Sequence, residues 1–279
     1  GCRSFVAPSR SVATFPKADT PLTPARHHDC LMNMSYTYRS TLKQMMAGMA
    51  ALTFFPVAAQ ADSSGTSTRY WDCCKPSGAW SGKASVSKPV NSCAANGVTV
   101  AGSGVQSGCN SGTASNSAFT CNNQQPWSVN STLSYGYAAA AIAGSSESGW
   151  LCACYKLTFN SGTVSGKQMV VQVTNTGGDL SSNQFDLLIP GGGEGIFTQG
   201  CTAQWGVAAP GWGAQYGGVS SDAQCSTLPS ALQPGCHWRF QWFANANNPS
   251  FTYHRVKCPT AITATTGCIR TDDSSQPTN

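Results

Sequence analysis

The chain has 279 residues, of which only 10% are charged, a formal net charge of +5 and fourteen cysteines. Six of the sixteen Lys and Arg and two of the eleven acids precede Asp62, so from Asp62 onward ten basic residues face nine acidic ones. That near-neutral remainder lacks the Lys/Arg cluster that tracks a phosphate backbone, which sets nucleic acid aside and points to an uncharged partner.

Residues 1–33 mix Arg, Pro, Ser and His with no hydrophobic period and are expected to be an upstream non-structural segment. From Met34 the pattern becomes that of a signal peptide over residues 34–61: a polar stretch with Arg39 and Lys43, an apolar run from Met45 to Ala59, then the small-x-small step Ala59-Gln60-Ala61. The apolar run is about fifteen residues, short of the roughly twenty that cross a bilayer, and Pro56 interrupts it. No membrane anchor is expected, and the portion from Asp62 should be a secreted, extracellular, single-domain protein. Its twelve cysteines, left once Cys2 and Cys30 are set apart, read as disulfides in an oxidising compartment. A zinc site is the rival reading, but Cys73-Cys74 and Cys152-Ala153-Cys154 lack zinc-ligand spacing and only His237 and His254 remain to help, so no metal and no other cofactor is expected. Asn130-Ser131-Thr132 is the one glycosylation acceptor in this portion.

Further along, the alanine-rich stretch from Leu133 to about Ala143 predicts a helix, with Asn130 or Ser131 near its start and Gly144 just past its end. Alternation predicts strands around Tyr155, Leu157 and Phe159, around Met169, Val171 and Val173, and around Trp238, Phe240 and Trp242, the last read as core aromatics with His237 and Arg239 facing the other way. A short helical turn is expected from Ser221. The rest reads as Gly-, Ser- and Asn-rich loop held by cystines, and residues 274–279 have the composition of a linker.

No G-x-S-x-G, H-E-x-x-H, phosphate loop or dinucleotide fingerprint occurs, which leaves carboxylate chemistry. Glycoside hydrolysis needs two acids in different states, one to activate water or attack and one to donate a proton. Asp72 lies between Trp71 and the paired cysteines Cys73-Cys74, which must diverge to separate partners and so stiffen its support. Asp179 and Asp186 flank a polar segment after Gly177-Gly178 that reads as an active-site loop. Phe185 and Leu187 suggest partial burial of Asp186, which would raise its pKa and suit it to donating a proton. Each has a plainer reading as well: Asp72 as a turn cap, Asp179 as an Asx-turn. Glu147 and Glu194 read as solvated loop charges. Tyr70, Trp71 and Trp80 are candidates to stack on sugar rings, and core burial is the alternative for each. Arg69 and Lys75 are candidate donors.

The run Thr68-Arg69-Tyr70-Trp71-Asp72-Cys73-Cys74-Lys75-Pro76-Ser77 resembles the signature of the family 45 glycoside hydrolases, small fungal endoglucanases. The likeness continues through Gln125-Pro126-Trp127, Gly149-Trp150-Leu151-Cys152-Ala153-Cys154-Tyr155, Thr176-Gly177-Gly178-Asp179-Leu180, Phe185-Asp186-Leu187, Ile189-Pro190-Gly191-Gly192-Gly193 and Pro234-Gly235-Cys236, covering residues 62–273. The resemblance implies a mainly β fold, a six-stranded double-psi β-barrel with long disulfide-tied loops and a few short helices. It implies inverting endo-hydrolysis of β-1,4-glucan such as cellulose. A monomer is expected. Asp72 would be the general base, Asp186 the general acid and Asp179 an assisting carboxylate, with Thr68, Tyr70, Lys75 and Trp80 binding substrate. The two principal carboxyls of an inverting enzyme are expected roughly 6.5–9.5 Å apart, leaving room for water. It further implies the disulfides Cys73–Cys201, Cys74–Cys109, Cys93–Cys121, Cys152–Cys268, Cys154–Cys258 and Cys225–Cys236. Two departures stand out: Gly78 and Leu151 occupy positions that many members join by a further cystine, and Gln184 stands where a member has His before the Phe-Asp pair. The alternative class is a non-hydrolytic, expansin-like wall-loosening or carbohydrate-binding protein, which shares the barrel but lacks the base; a disulfide-rich defence protein of the barwin type would need neither acid.

Overall fold

Six strands close into a barrel in the computed structural model, which describes residues 61–279. The upstream segment and all of the leader expected over residues 34–61 except Ala61 lie outside the described residues. In chain order the strands are β1 (Ser63–Tyr70), β2 (Leu133–Ala141), β3 (Cys154–Phe159), β4 (Gln168–Asn175), β5 (Gln184–Leu188) and β6 (Ser250–Val256). Around the barrel the order is β2-β4-β3-β6-β1-β5, and β5 pairs back onto β2 to close it. Two neighbours, β1 with β5 and β2 with β4, run parallel, so the chain must cross over between them.

The expected alternation carries the core. Tyr155, Leu157 and Phe159 of β3 meet Phe185 and Leu187 of β5 and Phe251 and Tyr253 of β6, all buried in one apolar cluster. Their rings meet edge to face, with Phe185 and Tyr253 centroids 5.0 Å apart and Tyr155 and Phe185 5.4 Å apart. Strand β4 is buried on both sides from Met169 to Thr174, which admits Gln172 only because its amide is fully used. That amide donates to the carbonyls of Cys152 and Cys268 and accepts from the Thr266 hydroxyl.

Two expected elements change type. Leu133–Ala141 is β2 and not a helix. It lies between β4 and β5, where close neighbours on both sides and burial of Tyr137 to Ala140 favour small side chains in an extended chain over the helical preference of alanine. Asn130 opens it as an Asx-turn, its Oδ1 accepting from the backbone N–H groups of Thr132 and Leu133, instead of capping a helix. Conversely, Gln233–Gln241 is a helix and not a strand. Pro234 starts its first turn, and the aromatic alternation also satisfies an i, i+4 spacing: Trp238 and Trp242 stack at 5.3 Å on one face, both buried. Arg239 is buried too, donating to the Gly191 carbonyl and to Asn245. The turn after Ser221 is a short 3-10 helix, Asp222–Thr227.

All six disulfides implied by the resemblance are present. The segment read as a linker is tied back at its middle, the Lys257 N–H donating to the Pro277 carbonyl at 2.8 Å.

Candidate active site

The site forms where β1 and β5 lie side by side. Their parallel register sets Thr68 against Asp186 and Tyr70 against Leu188, and across β5 the closing strand β2 sets Ala139 against Asp186. The period of two sends Phe185 and Leu187 into the barrel core and Asp186 to the opposite face with Gln184 and Thr68. Asp186 is therefore half-buried as expected, but by the walls of a cleft and not by its flanking residues. Its Oδ1 is closed off from solvent with no hydrogen-bond partner.

Asp72 lies just past the end of β1. The Ile189 N–H donates to the Tyr70 carbonyl and the Trp71 N–H to the Gly193 carbonyl, which extends the β1–β5 pairing beyond the strands. The chain then turns sharply, with Cys73 in the left-handed region at φ 60°, uncommon for a residue with a side chain. Cys73 and Cys74 diverge to Cys201 and Cys109, and the Cys74 N–H donates to Asp72 Oδ1 at 2.9 Å. Gly200 backs this turn so closely that a Cβ there would meet the Asp72 carbonyl. Asp72 is 5% exposed on this support.

A cleft of about 380 Å³ runs over the strand ends, lined by Thr68, Tyr70, Asp179, Gln184 and Asp186 and walled on the far side by Tyr216 and Asn247. Tyr70, Asp179 and Asp186 also border an adjoining chamber of about 40 Å³, which adds Asp72 and Glu194. Burial pushes the Asp72 carboxyl up to about 7, against the opposing pull of the Cys74 N–H. Burial likewise pushes Asp186 up to about 7; Thr68 opposes this, while the negative charges of Asp179 and Asp72 add to it and Arg69 lessens it. Tyr70 is buried and takes a hydrogen bond from Asn175 at its hydroxyl.

The remaining sequence-predicted residues are placed differently. Lys75 is buried beside the site, donating to the carbonyls of Ser103 and Val105 at 2.6 and 2.9 Å, with its ammonium 3.4 Å over the Trp80 ring. Burial lowers its pKa to about 8. Trp80 borders a separate hollow of about 170 Å³ with Gly78, Lys83 and Leu151. Lys75 thus clamps a loop and one face of Trp80. Trp71 is buried at 2% exposure and offers no ring to a sugar. Gln184 bridges the loop to the strand, accepting from the Ser181 N–H and donating to the Thr68 hydroxyl.

Glu194 overturns its expectation most clearly. It reads as a solvated charge but is 2% exposed, and neither carboxylate oxygen has a hydrogen-bond partner. Gly191-Gly192-Gly193 looks like open loop, yet these glycines let the backbone press against the end of β1, and Gly195 exchanges hydrogen bonds with Gln215. Glu147, by contrast, pairs with Lys83 at 2.9 Å on the surface. Ile196 and Phe197, which carried no sequence signal beyond being apolar, form an exposed rim to the chamber.

The site acids do not converge as a metal centre. Among the described residues one trio of potential ligands lies within 4.8 Å, Asp222, Cys225 and His237, and its sulfur is committed to the bond with Cys236.

The family model of glycosyl hydrolase family 45 matches residues 64–269. The chain is 55% identical over 208 residues to an endoglucanase of Cryptopygus antarcticus, covering 75% of this chain and 90% of that protein. It is 54% identical over 223 residues to a putative endoglucanase type K of Fusarium oxysporum, covering 80% of this chain and 58% of the other. An endoglucanase of Phaedon cochleariae is 46% identical over 231 residues, covering 82% and 93% respectively. The crystal structure of a cellulase from the Antarctic springtail Cryptopygus antarcticus superposes with a TM-score of 0.72 at 54% identity, covering 76% of this chain and 99% of that one.

Proposed function

This chain belongs to glycosyl hydrolase family 45, and from that membership and the geometry of the cleft we propose that it is a secreted, monomeric endo-β-1,4-glucanase that cleaves internal bonds of cellulose and soluble β-glucans with inversion. Asp72 is the general base and Asp186 the general acid. The observation that carries the assignment is that two carboxyls, both largely withdrawn from solvent, border one chamber in unlike settings. Asp72 accepts a backbone N–H, which favours its ionised form. Asp186 is largely withdrawn from solvent, has a partnerless oxygen and faces the charges of Asp179 and Asp72, which together outweigh the opposing effects of Thr68 and Arg69 and favour keeping its proton. The environment therefore divides the roles that inversion demands.

In the reaction, Asp186 donates its proton to the leaving glycosidic oxygen while Asp72 takes one from the water that attacks the anomeric carbon from the other side. Asp179, exposed on the loop between β4 and β5, assists from the cleft edge. Thr68 and Tyr70 line the sugar path, and Trp80, held by Lys75, offers its free face in the separate hollow. The near-neutral charge after Asp62 suits an uncharged polysaccharide, and six disulfides suit the oxidising route of a secreted protein.

The test is release of reducing ends from carboxymethylcellulose, followed by NMR of the first product before mutarotation. The expected result is activity in the wild type, loss of it in Asp186→Asn and in Asp72→Asn, and an α-anomeric product. A β-anomeric product, or full activity in either variant, overturns the assignment.

A further inference from the structure

The proposed reaction uses Asp72, Asp186 and Asp179 and leaves Glu194 without a task. Its place is nonetheless unusual. The carboxyl is enclosed, both oxygens lack partners, and it borders the same chamber as Asp72 and Asp186. Gly211, at φ 77°, lies so close to Glu194 Oε1 that a Cβ would collide with it, so the loop opposite is shaped around this carboxyl. A buried carboxyl without partners is costly unless it is neutral or meets a ligand. The chamber, about 40 Å³, has room for water but not for a sugar ring.

We propose that Glu194 is a positioning residue of the reaction chamber, a carboxylic acid that keeps its proton while Asp72 is ionised and donates a hydrogen bond to the attacking water. The inference rests on the assignment of Asp72 as base. The two carboxyls share one negative charge between them, because ionising both in one small, dry space is unfavourable. Burial, with the Asp72 charge second, pushes Glu194 up to about 7.

The groups around Glu194 fit this. Asp72 and Tyr70 face the chamber from β1 and its extension, Asp186 from β5 and Asp179 from the loop before it. The loop packed against Glu194 at Gly211 brings Tyr216 to the larger cleft and no charge. The cation bordering that cleft, Arg69, donates to the Gly217 carbonyl and Asn247 and bears on Asp186.

The chain holds only two glutamates, Glu147 and Glu194, so carboxyl-labelled glutamate gives two resonances. They titrate apart: against some burial, the hydrogen bond from Lys83 holds Glu147 below its ordinary value. The first experiment titrates labelled wild type and Asp72→Asn by NMR. Removing the Asp72 charge should lower the Glu194 midpoint by about one pH unit; an unchanged midpoint overturns the proposal. The second compares kcat/KM across pH for wild type and Glu194→Gln. The neutral donor should keep the acid-side activity and turn a two-proton alkaline fall into a one-proton fall. Glu194→Leu, of similar size without a donor, should lower kcat about tenfold with KM little changed. Gln and Leu variants with the wild-type profile overturn the proposal. Absence of any glucanase activity would instead refute the proposed reaction, while the NMR titration still reads the carboxyl pair.

Discussion

Asp186→Asn should make the protein more stable as well as inactive, and only above acid pH. Raising a carboxyl from its ordinary value near 4 to about 7 means that the folded state holds a proton that the unfolded state has released. Stability then falls as pH climbs between those two values and is level beyond them. The full difference is about 4 kcal/mol, and because Asp186 opens onto a solvated cleft a discounted figure of about 2 kcal/mol is the working expectation. For a domain of this size that corresponds to a rise in Tm of about 4–8 °C. Asn has the shape of the protonated acid but cannot ionise, so the variant should escape this loss. Thermal unfolding of both proteins from pH 4 to pH 9 is the assay: the curves should nearly coincide at the acid end, separate through the window between the ordinary and raised values, and run parallel above pH 8. A pH-independent gap, or one that widens toward acid, would refute the claim that burial of an ionised Asp186 opposes folding.

Three other outcomes follow from the site walls. Gly78→Cys with Leu151→Cys should raise Tm, since a Cβ at Gly78 lies 3.3 Å from Leu151 Cδ2 and closing a loop of this length is worth about 4 kcal/mol in the chain-entropy model. The gain will be cut by a contact of 2.7 Å with the Thr174 carbonyl, so Gly78→Ala alone should lower Tm, which calorimetry on the single and double variants will show. Lys75→Met frees the Ser103 and Val105 carbonyls and uncovers one face of Trp80; loss of these charge-assisted bonds should cost about 2 kcal/mol of stability and raise KM for long glucans more than it lowers kcat. Gln184→His places an ionisable ring on the Asp186 face. Its cationic form would favour ionised Asp186, moving the alkaline limb of kcat/KM to lower pH, and an unmoved limb would dismiss the coupling.

How far the sequence disclosed the site depended on where the signal lay. Period-two alternation located β3 and β4, and the adjacent cysteines announced a rigid turn at Asp72, because both signals are local. Alanines in β2 misled because their small size serves close strand packing, a tertiary demand that outweighs helix preference. Aromatics at Trp238 and Trp242 misled because a spacing of four residues satisfies both periods, and Pro234 was the local sign that favoured the helix. Glu194 was invisible for a different reason. The chamber's other walls come from separate elements: Asp72 arrives from the extension of β1, Asp186 from β5 and Asp179 from the loop before it, while Gly211 packs on Glu194 from another loop. A glycine run signals only that the backbone approaches something closely; it does not say what.

The same chamber poses a problem that the covalent framework answers. Three enclosed carboxyls, Asp72, Asp186 and Glu194, each favour the protonated state, so near neutral pH the site works against the fold that creates it. Relaxation would be simple if the Asp72 turn could swing outward and hydrate its carboxyl. Two disulfides, from Cys73 to Cys201 and from Cys74 to Cys109, hold both following residues and prevent that motion. The first spans 128 residues and lowers the entropy of the unfolded chain by the equivalent of about 5 kcal/mol in the loop-closure model, comparable to the ionisation cost of one such acid. Placing cross-links at the residues next to the proposed base therefore does more than stabilise the domain: it keeps the strain of an unsolvated carboxylate located where the proposed reaction requires it.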